Sequence, residues 1–257
     1  IFIYNSTGSV IYNIDMGVSL STGDALDSNG DGLFDYMFIG TRYNDMILCF
    51  NSSDGVNWTN FLNISLPSDP HEIVAGDIDS DGNNDGFAVV SAGIQSLMLY
   101  YPNGTQVFNV STDSSSSVTF ADLDKDGFED EIVVAGQRWG YDPDIFAYDV
   151  MGNHIWNKSV LIPIDQYMDE IISVDLDNDG FNDEIVASVS GYIYALDNNS
   201  ELLWNFSKLN FGDTIVSLKA NDVNDDGNIE IIAGGYDGVL WIVSNNGTLL
   251  FEYNTQN

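Results

Sequence analysis

Five short segments hold the side chains best suited to chemistry: Asp27-Ser28-Asn29-Gly30-Asp31-Gly32, Asp77-Ile78-Asp79-Ser80-Asp81-Gly82, Asp122-Leu123-Asp124-Lys125-Asp126-Gly127, Asp175-Leu176-Asp177-Asn178-Asp179-Gly180 and Asp222-Val223-Asn224-Asp225-Asp226-Gly227. Positions 1, 3, 5 and 9 of each are oxygen donors: Asp27, Asn29, Asp31, Asp35; Asp77, Asp79, Asp81, Asp85; Asp122, Asp124, Asp126, Asp130; Asp175, Asp177, Asp179, Asp183; and Asp222, Asn224, Asp226, Glu230. Alternate residues of a tight loop point toward one centre, and the Gly at position 6 permits the sharp turn. A hard cation that takes about six to eight oxygens, Ca²⁺, suits such a set. Position 7 (Leu33, Asn83, Phe128, Phe181, Asn228) would supply its backbone carbonyl, which leaves its side chain free to vary. About five Ca²⁺ are therefore expected, one per loop.

The EF-hand opens in the same way but needs a bidentate Glu at position 12 and flanking helices. Position 12 here is Phe38, Ala88, Val133, Val186 or Ala233, in each case inside a strand-like run. Solvated acidic turns are the plainer alternative, since Asp, Asn and Gly are ordinary turn residues. Recurrence of one pattern five times in register favours the cation.

The loops recur because the elements that hold them recur. Their first positions are 50, 45, 53 and 47 residues apart. A second marker keeps step: an Asn-, Gly- and Ser-rich turn followed by an aromatic, giving Tyr12, Trp58, Phe108, Trp156, Trp204 and Phe251. Between markers lie apolar or alternating runs bounded by turn residues. One copy reads as strand A Glu170–Val174, the acidic loop, strand B Glu184–Ser188, strand C Tyr192–Leu196 and strand D Leu202–Phe206. Four antiparallel strands in under about fifty residues is the size of a propeller blade. The fold expected is all-β: a β-propeller of four-stranded antiparallel blades, five full blades plus a C/D hairpin of a sixth. The blades run approximately over residues 1–16 (partial), 17–66, 67–110, 111–163, 164–210 and 211–257, as one domain. Ring closure then needs strands from before Ile1, after Asn257 or a partner, so the chain reads as part of something longer.

At this point the loops and the strands after them, as in Asp122 to Gly136, resemble the FG-GAP repeats of integrin α-subunit propellers and the related VCBS-type repeats. The resemblance covers essentially the whole chain, although the Gly-Ala-Pro signature of the integrin repeat is missing. It implies one ion in each A to B loop on one face of the disc and partner-binding loops on the other. The outer strands, as in Tyr192 to Asp197 leading to Trp204, are also similar to quinoprotein-type blades.

Forty acidic residues against six basic ones give a formal charge of −34, which repels phosphate backbones and anionic lipid surfaces. Nucleic acid and membrane insertion by this segment are not expected partners. The single Cys49, in an apolar run, rules out an intrachain disulfide and reads as a buried thiol. His71 and His154 have no repeated companions, and no Ser/His/Asp arrangement can be drawn; Ser52 to Trp58 resembles a sialidase Asp-box, once only. No catalytic residues or organic cofactor are assigned.

Ten Asn-x-Ser/Thr sequons begin at Asn5, Asn51, Asn57, Asn63, Asn103, Asn109, Asn157, Asn198, Asn205 and Asn246 and are glycosylation candidates. On the face opposite the calcium loops, Arg42, Tyr43, Arg138, Trp139, Tyr141 and Tyr167 combine the residue types that anchor interfaces. The expectation is an extracellular or cell-surface module for adhesion, interaction or surface assembly, binding protein or glycan, with self-assembly open. The alternative is a carbohydrate-active or quinoprotein-like propeller enzyme.

Overall fold

The computed structural model describes all residues except 5–6, 92, 94, 113–115, 137–143, 161–167, 190, 208–214 and 256–257. A hairpin of β1 (Phe2–Tyr4) and β2 (Val10–Asn13) comes first. Five four-stranded antiparallel sheets follow, each taking its strands in chain order. Blade 1 holds β3 (Leu20–Leu26), β4 (Tyr36–Thr41), β5 (Met46–Asn51) and β6 (Thr59–Ser65). Blade 2 holds β7 (Glu72–Gly76), β8 (Gly86–Ser91), β9 (Ser96–Tyr100) and β10 (Gln106–Ser111). In blade 3 come β11 (Ser117–Ala121), β12 (Glu131–Gly136), β13 (Asp144–Tyr148) and β14 (His154–Ser159). Blade 4 has β15 (Met168–Val174), β16 (Glu184–Val189), β17 (Tyr192–Leu196) and β18 (Leu202–Ser207), and blade 5 has β19 (Ile215–Asn221), β20 (Glu230–Gly235), β21 (Val239–Val243) and β22 (Leu249–Asn254). The described residues contain no helix.

The burial patterns explain why the middle strands read as unbroken apolar runs. Strands β8, β12 and β16 are buried at every position, because each has a sheet on both sides. The outer strands β10, β14 and β18 alternate between exposed and half-buried residues, as one-sided strands do. Each core is shared by two neighbours. Leu26, Phe38, Ile47 and Cys49 of blade 1 pack on Ile73, Phe87 and Met98 of blade 2, with the Phe38 and Phe87 rings 3.9 Å apart. Three further clusters join blades 2 to 3, 3 to 4 and 4 to 5. The hairpin lies on the other face of blade 1, where Ile1, Ile3 and Ile14 cover Met37, Ile39, Leu48 and Phe50. Cys49 is buried, and burial pushes its thiol up to about 12.

The innermost strands β3, β7, β11, β15 and β19 stand side by side in order. On β7, β11, β15 and β19, one or two edge N–H groups each donate to side chains of the preceding blade. Thr22 Oγ1 and Asp24 Oδ2 accept from Ile73 and Ala75 N (3.2 and 2.9 Å), and Glu72 Oε2 accepts from Val118 N (2.7 Å). Ser117 Oγ accepts from Ile171 N (3.1 Å), and Glu170 Oε2 accepts from Leu218 N (2.6 Å). Part of each open β edge is thereby paired without a fifth strand.

At the rim, the aromatics of the outer strands pack on the next blade. The Trp156 and Trp204 indoles donate to Asn198 O (2.9 Å) and Asn245 O (2.7 Å), and the Tyr12 hydroxyl donates to Trp58 O (2.8 Å). A Cβ added at Gly152 would meet the Phe108 ring at 2.9 Å, and one at Gly247 the Trp204 ring at 2.9 Å. In blade 1 the in-phase aromatic is not the residue that faces the next blade. Register sets Leu62 opposite Cys49, as Trp204 stands opposite Ala195 and Trp156 opposite Ala147, and Gly104 abuts Leu62. Trp58 sits before β6 and is buried against the hairpin side of its own blade. Phe251 occupies the equivalent position in blade 5 but is 49 % exposed.

Candidate metal loops

All five acidic loops connect the A and B strands of their blades, so they share one end of the sheets with the C to D turns. Each loop is wound around its first Asp. Asp27 Oδ2 accepts from Gly32 N (2.7 Å), and the same bond recurs between Asp77 and Gly82 (2.7 Å), Asp122 and Gly127 (2.9 Å), Asp175 and Gly180 (2.9 Å) and Asp222 and Gly227 (2.8 Å). Position 5 turns its carboxylate onto the N–H of position 7, as Asp31 does for Leu33, Asp81 for Asn83, Asp126 for Phe128, Asp179 for Phe181 and Asp226 for Asn228. The Gly at position 6 has φ between +84° and +99° in every loop, a conformation a side chain resists. Backbone donors thus fix the direction of the acids, the role that outer-shell partners play for metal ligands.

The acids converge. One oxygen from each of Asp77, Asp79 and Asp85 lies within 4.8 Å of the others, and the same holds for Asp122, Asp124 and Asp126 and for Asp175, Asp177 and Asp179. In loops 1 and 5 the third position is an amide that bridges instead: Asn29 donates to Asp35 Oδ2 (2.9 Å) and Asn224 to Glu230 Oε1 (3.2 Å). Their oxygens accept from Asp31 N and Asp226 N. Asp183 is 1 % exposed, and its Oδ1 has no hydrogen-bond partner. Burial pushes the Asp183, Asp85 and Asp122 carboxyls up, and neighbouring carboxylates add to this. Crowded, partly desolvated oxygens, one of them the unpartnered Oδ1 of buried Asp183, fit a hard divalent cation.

Register exposes two acids that the sequence pattern overlooked. The N–H of position 2 is held by Asp85 in loop 2 (Ile78, 2.8 Å) and by Asp35 in loop 1 (Ser28, 3.0 Å). In loops 3 and 4 that task falls to Glu131 (Leu123, 2.7 Å) and Glu184 (Leu176, 2.6 Å), the first residues of β12 and β16. Glu230, first in β20, does the same for Val223. Loop 5 is one residue shorter, so Glu230 matches Glu131 and Glu184 in strand pairing, not Asp130 and Asp183. Burial pushes Glu131 up to about 8 and Glu184 up to about 7.

Of the residues expected on the opposite face, Arg42 and Tyr43 follow β4 in a B to C turn. Tyr43 is 76 % exposed, with the Arg42 guanidinium 5.3 Å from its ring centre. Arg138, Trp139, Tyr141 and Tyr167 lie outside the described residues. Tyr236, 84 % exposed in the B to C turn of blade 5, is a further aromatic at that end. Its glycine-flanked position, Gly235-Tyr236-Asp237-Gly238, was the available signal. Among the sequons, Asn5 lies outside the described residues, while Asn51, Asn57, Asn103 and Asn246 are exposed. Asn63, Asn109, Asn157 and Asn205 are exposed in one register, each just after the residue that packs on the next blade. Asn198 differs: half-buried, it donates its amide N–H to Leu123 O (3.1 Å). His71 is exposed with Nδ1 2.7 Å from Ser116 O, and His154 meets the Tyr148 ring edge-on.

A family model, that of the lambda-carrageenase β-propeller domain, matches residues 132–217. No curated protein matches the sequence. Among solved structures the chain is similar to Saccharomyces cerevisiae Sqt1 at 10% identity and TM-score 0.67, covering 92% of this chain and 63% of that one. BamB from Moraxella catarrhalis is similar at 15% identity and TM-score 0.55, covering 97% and 79%. The Neurospora crassa Pan2 WD40 domain is similar at 14% identity and TM-score 0.60, covering 92% and 66%. The chain thus spans less than two thirds of the Sqt1 chain. At these identities the likeness establishes the fold: the chain is a β-propeller.

Proposed function

We propose that this propeller is calcium-stabilised, of the FG-GAP/VCBS type, and works outside the cell or on its surface as an interaction or assembly module. The observation that carries the reading is the repeated loop, in which backbone N–H groups orient the acids, oxygens of three acids converge in loops 2, 3 and 4, and Asp183 is buried without a hydrogen bond to Oδ1. Calcium would be held by positions 1, 3, 5 and 9 of each loop, with Glu131 and Glu184 bracing loops 3 and 4. The ion contributes neutralisation and cross-linking; the carboxylates and their backbone donors supply the geometry. Partners, protein or glycan, would meet the opposite end, where Arg42, Tyr43 and Tyr236 are presented without ion-binding duty. The test is elemental analysis of dialysed protein together with melting in Ca²⁺ and in excess chelator. Each site held at about a hundredfold its Kd would add about 2.7 kcal/mol. No bound metal and superimposed melting curves would refute the reading.

A second reading, a carbohydrate-active propeller, is favoured by the match of residues 132–217 to the lambda-carrageenase propeller model. It predicts polysaccharide binding or cleavage by the purified chain in Ca²⁺. A glycan array and a reducing-end assay, run on the same preparation, separate it from a protein-binding module.

A further inference from the structure

Position 4 of each loop has a left-handed backbone, at Gly30, Ser80, Lys125, Asn178 and Asp225. In loops 2, 3 and 4 its side chain reaches the loop of the following blade. Ser80 donates to Asp130 of loop 3, and Asn178 donates to Asn228 of loop 5 (3.0 Å). Lys125 alone among these five carries a positive charge. Its ammonium lies 2.5 Å from Asp179 Oδ2 and 3.1 Å from Asp183 Oδ2, positions 5 and 9 of loop 4. The Phe181 ring, at position 7 of that loop, has its centre 6.0 Å from the same ammonium. Asn182 donates to Glu129, and Asp122 N to Asn182 O (3.1 Å), which fixes the two loops side by side.

We propose that Lys125 is a tethered cation that competes with the divalent ion for loop 4, making it the weakest calcium site and the one that exchanges with ambient calcium. The inference rests on the calcium reading above. The lysine ammonium and a Ca²⁺ both draw on Asp179 and Asp183, and like charges at contact distance exclude one another. Filling loop 4 therefore expels the lysine from it, whereas Gly30, Ser80 and Asn178 impose no such cost on the loops they face. With calcium scarce, the lysine offsets the repulsion among Asp177, Asp179 and Asp183; with calcium plentiful, it is released to solvent beside loop 3.

The experiment compares the parent protein, Lys125→Gln and Asp175→Asn by calorimetric titration with Ca²⁺ and by melting in chelator and in saturating Ca²⁺. The parent should show one site at least tenfold weaker than the others, and Asp175→Asn should abolish that site alone. Lys125→Gln should tighten it at least tenfold, lower the melting temperature in chelator and enlarge the gain on adding Ca²⁺. A weak site unmoved by Lys125→Gln, or no weak site in a parent that binds Ca²⁺, overturns the role of Lys125 while leaving calcium binding intact. A parent that binds no Ca²⁺ overturns both.

Discussion

Removing the Trp204 ring tests whether the rim aromatics join blades or wait for a ligand. In Trp204→Ala the lost side chain packs between blades 4 and 5, over Gly247, and donates to Asn245 O at 2.7 Å. Truncating a buried aromatic costs about 3–5 kcal/mol, and half-burial places Trp204 near the lower end. Its hydrogen bond adds about 1 kcal/mol. A total of about 3–4 kcal/mol corresponds to a drop in Tm of roughly 6–16 °C in a domain of this size. Phe251→Ala removes an aromatic from the same register of blade 5, but the ring is 49 % exposed, so the loss should stay at about 1 kcal/mol or below. Gly247→Ala should also destabilise, because its Cβ would fall 2.9 Å from the Trp204 ring at φ +83°. In the Trp204→Ala background only the backbone cost of about 1–2 kcal/mol remains, so the two changes should couple by about 1 kcal/mol or more. Urea melts of the three single variants and the double variant, in saturating Ca²⁺, supply the assay. Equal losses for Trp204→Ala and Phe251→Ala, or strict additivity with Gly247→Ala, would refute the packing argument.

The Cys49 thiol, pushed up to about 12 by burial, should resist thiol reagents at pH 8 until the chain is unfolded; labelling at the rate of a free thiol would contradict its place between blades 1 and 2. Burial also raises the Glu72 carboxyl above its ordinary value. A raised folded pKa means that the stabilising contribution is full below the unfolded pKa and is lost as pH climbs through the folded one. Glu72→Gln keeps an acceptor for Val118 N, so it should match or exceed the parent in Tm at pH 7 and lose that advantage under acid; a large loss at pH 7 would show that the charge itself is needed. Expressed in a glycosylating host, the chain should carry glycan at Asn63, Asn109, Asn157 or Asn205 and none at Asn198, read by mass spectrometry of peptides; modified Asn198 would contradict its bond to Leu123 O.

Local chemistry made much of this architecture readable. The acidic loops, the turns and the strands of blade 4 follow from residues adjacent in sequence, and β17 coincides with the run Tyr192–Leu196. What escaped was register. Trp58 satisfied the spacing of the rim aromatics, yet the C to D turn of blade 1 (52–58) is longer than that of blade 4 (197–201), so register places Leu62 there instead. Glu131 and Glu184 were hidden because loop 5 is one residue shorter, which made Glu230 look like a ninth-position Asp. Lys125 and the acceptors Asp24, Glu72, Ser117 and Glu170 act on the blade after their own, so no window within one repeat could reveal them.

Those side-chain acceptors along the inner strands have a bearing on engineering. The donor is a backbone N–H at every junction, but the acceptors change along the chain: a threonine with an aspartate, then a glutamate, then a serine, then a glutamate that also binds Lys219 at 3.1 Å. Blade order is therefore written into the inner surface although the blades look alike. A gene in which blades 3 and 4 trade places would keep every sheet and every acidic loop, but Glu72 would face β15 and Glu170 would face β11. Opening the chain between two blades and joining it elsewhere would preserve the inner contacts of every blade pair left adjacent. Rearrangements that respect neighbour relations should fold, and those that shuffle them should assemble poorly, even with identical composition.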